Sequence, residues 1–216
     1  MALLTFADLQ DAIQAKFDDA ASLTDAIVAD HITMGEALIN RQVRGREMET
    51  FADLTISSQE TDLPTGYLAM RRLYLDKDPN KPLRYFPPMD FWNRYGSSVT
   101  ASPEIYTIEG GKIVVAPVPS SSETGKILYY QKSDIASSVP TLFTNQPDMY
   151  LYGACIYSAD FLDDDRAVMK NAGFFKQIVA DYKAADKKDR TSGAPLEMRN
   201  DVNPSFRQEI HRFNSA

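Results

Sequence analysis

Apolar residues recur at one spacing near both ends of this chain and at another in its middle, and that double switch of period limits the folds open to it. Phe6, Leu9, Ile13 and Phe17 return every three or four positions, the repeat that lines one face of a helix. Thr5, with Asp8 three positions on, resembles a capping box at the head of this helix, and FDDAAS breaks it. A second stripe, Ile27, Val28, Ile32, Leu38, Ile39 and Val43, starts near Ser22 or Thr24. Asp25 falls in its first turn and Arg41, Arg44 and Arg46 at its end, each complementing the helix dipole. Gly35 lies inside that helix, where glycine is about 1 kcal/mol worse than alanine; its presence predicts close packing against a neighbour.

From about residue 50 the repeat shortens. LTIS (54–57), YLAMRRLYLD, LRYF, EIYTIE, KIVVAPVP and KILYYQKSD read as strands, separated by the dense turn signal DKDPNKP and by Gly110-Gly111, a two-residue hairpin turn. PPMDFWNRYG reads as one short helical turn carrying Phe91 and Trp92. A meander of five or six strands is predicted. After Thr141 the helical period returns. Asn145 is placed to cap a helix with Pro147 in its first turn, and MYLYGACIYSADFL continues it, apolar on nearly every side and hence buried. LDDD breaks this helix from a last one, about 166–187, whose stripe is Phe174, Phe175, Ile178, Val179 and Tyr182. Helical stripes at both ends must bury themselves together. The predicted class is therefore α+β: an antiparallel helical bundle from the N- and C-terminal segments (1–47 and 141–188), an inserted antiparallel β-meander or sandwich domain (48–140), and an extended C-terminal tail (189–216).

Composition narrows the class of partner. With 44% hydrophobic residues the chain can form a core, and no apolar run approaches the roughly 20 residues that span a bilayer. Acidic residues stand near the start where a secretory signal would carry bases, so synthesis in a cytosol is expected. A net charge of -7 disfavours gripping DNA phosphates. The single cysteine, Cys155, excludes an intramolecular disulfide; its apolar surroundings in YLYGACIYSA predict a buried structural thiol.

Catalytic chemistry finds no foothold. Asp163, Asp164 and Asp165 are the most metal-like run, but they lack the spaced ligands and closing glutamate of a calcium loop and fit a solvated corner between helices. Gly110-Gly111 leads into a strand and cradles no phosphate. His31 and His211 have no partner in sequence and are read as ordinary residues. No nucleophile elbow, Walker or zincin motif is present. The expectation is a protein that is not an enzyme, with no cofactor and no metal.

A set of motifs in fixed order points elsewhere: Leu63-Pro64 with Tyr67-Leu68, leading into LYL; the GGKI…AP.P hairpin from Gly110 to Pro119; Leu128-Tyr129-Tyr130; and NQPDMYLYG from Asn145 to Gly153. Across roughly residues 20 to 190 the chain resembles the phage adaptor, or head-tail connector, family of short-tailed bacteriophages. The resemblance implies a structural virion protein at the head-tail interface, made in the host cytoplasm. It implies a ring, generally of twelve copies, that binds the portal protein and joins it to the tail nozzle and fibre proteins. Genome DNA would pass through the channel without specific binding, and the acidic balance suits such a wall because it repels the DNA backbone.

A competing reading makes the β domain a fibre- or carbohydrate-binding module with Phe91, Trp92 and Tyr95 as its exposed platform; the plainer alternative packs these aromatics under the sheet. A hydrolase built on Asp163 to Asp165 has no base or oxyanion partner. The tail offers another contact. Phe206, Ile210 and Phe213 fall at i, i+4 and i+7 after Asn203-Pro204-Ser205, with Arg207 and Arg212 among them. That spacing predicts a short amphipathic helix ordered only on contact with the portal or a neighbouring adaptor, because so short a helix is marginal alone.

Overall fold

The computed structural model describes residues 3–18, 20–95 and 99–190. Helix α1 (Phe6–Lys16) opens on the expected reciprocal cap. The Thr5 hydroxyl accepts from the Asp8 N–H at 3.1 Å, and the Asp8 carboxylate accepts from the Thr5 N–H at 2.9 Å. Its Leu9 and Ile13 are fully buried. Helix α2 (Asp25–Gln42) follows, then a 3-10 turn (Arg46–Met48). Beyond the β region come α4 (Thr141–Asn145), α5 (Pro147–Phe161) and α6 (Asp165–Arg190).

Helix α5 is the centre of the bundle, and α1, α2 and α6 pack on it. His31 meets Ser158 while Gly35 meets Ala154, so α2 and α5 run antiparallel. Asn171 meets Cys155 and Phe174 meets Tyr152, so α6 runs back along α5 in turn. The packing expected at Gly35 is there. A Cβ on it would stand 2.8 Å from the Ala154 backbone nitrogen and 2.9 Å from the Gly153 carbonyl carbon, closer than atoms can approach.

Two local expectations need correction. Asn145 is not the cap of the long helix. It ends the short α4, and Gln146 stands at the cap position with Pro147 as the first residue of α5. The Asn145 amide instead donates to Glu47 at 2.6 Å, tying α4 to the 3-10 turn. In α6, Phe175, Val179 and Tyr182 are buried, whereas Ile178 is half-buried and Phe174 is 41% exposed, its ring tilted against that of Tyr152.

The strand-rich middle is also more than a meander. Strands β1 (Glu49–Ile56), β7 (Glu123–Gln131) and β3 (Tyr67–Leu75) form one sheet in the order β1-β7-β3. The second holds β2 (Glu60–Asp62), β6 (Lys112–Ala116), β5 (Ile105–Glu109) and β4 (Arg84–Tyr85) in the order β2-β6-β5-β4. The pair β5-β6 is the expected hairpin; Gly110 and Gly111 turn it with φ of 58° and 77°, the sign a two-residue primed turn requires. Leu54, Ile56, Leu73, Ile113, Val115 and Ile127 fill the space between the sheets. Helix α3 (Pro88–Arg94) covers the other face of the second sheet, where Phe91 packs with Ile105, Val114 and Ala116. Strand β6 is thus covered on both faces, which explains its unbroken apolar run IVVA. Because β1 and β7 pair along their whole length, the chain enters and leaves the insert on neighbouring strands.

Candidate interaction surfaces and the joint beneath the insert

The polar residues that sequence reasoning missed sit where β7 returns to the bundle. Glu36 and Asn40, one turn apart on α2, are both buried. The Asn40 amide donates to the Ser133 carbonyl at 3.0 Å and its oxygen accepts the Ser133 N–H at 2.9 Å. One Glu36 oxygen accepts from the Ile135 N–H at 2.8 Å and from the Ser133 hydroxyl at 3.2 Å. Tyr150 of α5 closes the cluster, 2.5 Å from the same hydroxyl. Three side chains from two helices therefore fix residues 133–135 against the bundle. A hydrogen-bonded buried cluster of this kind holds one geometry, since any slip leaves donors unpaired. The sequence signal was a polar pair at i, i+4 interrupting an apolar stripe.

Burial holds the Glu36 carboxyl above its ordinary value of 4.5, against the opposing pull of the bonds from Ile135 and Ser133. A carboxyl whose folded pKa is raised favours the fold while protonated. Stability from this group is therefore lost as pH rises through the raised value. Glu36→Gln keeps an oxygen for both donors and should flatten that slope, so that the variant melts higher than the parent at neutral pH. Parallel melting curves of variant and parent from about pH 4 to about pH 8 would contradict this assignment.

A second junction fastens the far end of α6. Arg190 donates to Asp186 at 2.6 Å, to Glu49 at 2.9 Å and to the Tyr130 hydroxyl at 3.3 Å. Burial pushes the Asp186 carboxyl upward, but hydrogen bonds from Arg190 and from the Arg46 N–H outweigh it and hold the group below its ordinary range. Gly45 leaves room for Tyr182, whose hydroxyl would stand 1.7 Å from a Cβ there. Between the two junctions runs an open groove of about 540 Å³, with Glu47, Glu49, Thr65, Lys132, Asp134 and Pro140 among its walls.

The three aromatics proposed as a platform separate. Phe91 is fully buried and cannot face a ligand; it anchors α3 to the sheet. Trp92 is 43% and Tyr95 37% exposed, beside Met89 at 79%. The Trp92 indole N–H donates to Glu109 at 2.9 Å, which fixes the ring over the β5–β6 hairpin. The tail residues Phe206, Arg207, Ile210, Arg212 and Phe213, with His211, lie outside the described residues.

Of the other candidates, Cys155 is fully buried and burial pushes its thiol up to about 11, which leaves it protonated and unreactive. His31 is buried against Ser158 and Phe161, and burial holds it below its ordinary value despite Asp30 and Asp160 nearby. Asp163 takes a positive φ of 54° at the corner between α5 and α6, and Asp164 accepts from the Ala167 N–H at 2.9 Å as a local cap. Among the described residues no three His, Cys, Asp or Glu side chains group as a metal site, and no helix is long and apolar enough to cross a membrane.

No curated protein matches the sequence. The family of the SU10 adaptor protein, however, matches residues 4–199, which takes in both helical segments and the whole insert. The chain therefore belongs to the SU10 adaptor protein family, a phage adaptor family, and is a structural component of the virion.

Proposed function

We propose that this protein forms a ring, of twelve copies in the arrangement usual for such adaptors, joining the portal to the tail nozzle and fibres while DNA passes through its centre. The observation that carries the reading is family membership over residues 4–199. In this organisation, residues 1–47 and 141–188 are the bundle, 48–140 the insert and 189–216 a docking arm. Phe206, Arg207, Ile210, Arg212 and Phe213 would form the arm's contact face on the portal or on a neighbouring copy. Trp92 and Tyr95, with Met89, offer the β domain a surface for a nozzle or fibre protein; their fixed, half-exposed rings suit such a contact. The net charge of -7 suits a channel that must not grip DNA. The protein needs neither cofactor nor active site for this work, and no membrane takes part.

Complementation tests the reading. Particles assembled without this protein should carry a portal but no tail, and adding the purified protein with tail components should restore joined, infectious virions. Normal tails on particles that lack the protein would overturn it.

A further inference from the structure

The exposed faces of α2 and α6 are electrostatic counterparts at matching heights. Both helices pack on α5, and the two antiparallel steps make α2 and α6 parallel to each other. Opposite the buried stripe of α2 stand Asp30, Met34, Ala37 and Arg41, all exposed, with Asp25 at the helix start. Opposite Phe175 and Val179 on α6 stand Arg166, Met169, Lys170, Gly173 and Ala180, with Asp181 beside them, all exposed. None of Asp25, Asp30, Arg41, Arg166, Lys170 and Asp181 takes part in an ion pair among the described residues.

Heights follow from the contacts with α5. His31 is level with Ser158 and Gly35 with Ala154, while Cys155 is level with Asn171 and Tyr152 with Phe174. Carried across α5, Asp30 lies level with the turn holding Arg166 and Lys170. Met34 lies level with Met169 and Gly173, and Arg41 with the turn before Asp181. Acid is thus level with base at the start of the two helices, and base is level with acid towards their ends. In between, Met34 at 47% and Met169 at 78% exposure lie near the height of Gly173, around which a Cβ would find nothing within 4 Å.

We propose that the partner of each face is a second copy of this chain, with the outer face of α6 in one copy seated on the outer face of α2 in the next. The inference rests on the ring reading above and deepens it. A rotation about an axis along the bundle keeps the two helices parallel and at equal height, so the same three pairings recur at every contact. Two different patches meeting head to tail generate a ring where the rotation closes, whereas a patch meeting itself stops at a dimer. The complementary ends also disfavour a slip of about two turns in one direction, because it sets Arg41 level with Lys170.

Cross-linking reads this directly, because Cys155 is fully buried and gives no background. With the portal present, Met34→Cys/Gly173→Cys should oxidise to a ladder of covalent oligomers, while each single variant stays uncross-linked. Asp30→Lys should weaken ring assembly roughly tenfold or more, and Asp30→Lys/Lys170→Asp should restore it, because each contact then regains opposite charges. Single-cysteine dimers would overturn the head-to-tail contact. Rings that form on the portal with no ladder and no charge effect would overturn this face while leaving the ring reading standing. A wild-type chain that never assembles on the portal would overturn both.

Discussion

Val179→Asp is expected to unfold the bundle at ordinary temperatures. Val179 is 4% exposed between α6 and α5, with Phe175 and Tyr182 one turn away on either side. An unpaired carboxylate there loses its water without gaining a partner, a penalty of several kcal/mol. Domains of this size have about 5–15 kcal/mol of stability in all, so the change removes a large part of it. Ile178→Asp should be much milder, since Ile178 is half-buried and its carboxylate could reach water. Circular dichroism melts of the two variants test the assignment of the buried face. Equal melting temperatures would mean that α6 is rotated from the position described.

Truncation is expected to separate folding from docking. Ending the chain after Arg190 should leave helix content and melting temperature unchanged, because Arg190 closes the contacts to Asp186, Glu49 and Tyr130. Portal binding at micromolar concentration should be lost, since the proposed contact residues Phe206, Ile210 and Phe213 go with the removed segment. Ending the chain after Asp189 removes that clasp as well. It should lower stability by about 1 kcal/mol, the scale of partly exposed ion pairs. A chain ending after Arg190 that binds the portal with undiminished affinity would move the anchor from the arm to the bundle.

Much of this architecture is written locally. The Thr5–Asp8 cap, the Gly110-Gly111 turn and the close approach at Gly35 each follow from a residue whose chemistry has few other uses. What stayed hidden depends on partners distant in the chain. The pairing of β1 with β7 joins residues 67 to 81 positions apart, so a run of strands read in order looks like a meander although it folds as two facing sheets. Glu36 and Asn40 look like ordinary exposed polar residues until Ser133 and Ile135 are brought against them. Phe91 and Trp92 are neighbours of similar character, and only the position of α3 on the second sheet decides which is buried. Asn145 is a better cap than Gln146 by intrinsic preference, but Glu47 claims its side chain.

The interaction surfaces were less legible for the same reason. A charged residue on a helix reads as solvated until its height relative to another helix is known, and α5 supplies that ruler. Exposed charge on both outer faces also fits a subunit that assembles on a template.

Mass photometry of the purified protein, alone and mixed with purified portal, tests the account most directly. The expected result is monomer or near-monomer alone, and a complex with the portal whose added mass is a whole ring of 24.2 kDa subunits. Stable rings of the isolated protein at sub-micromolar concentration would contradict template-dependent assembly, and no added mass on the portal would contradict the adaptor ring itself.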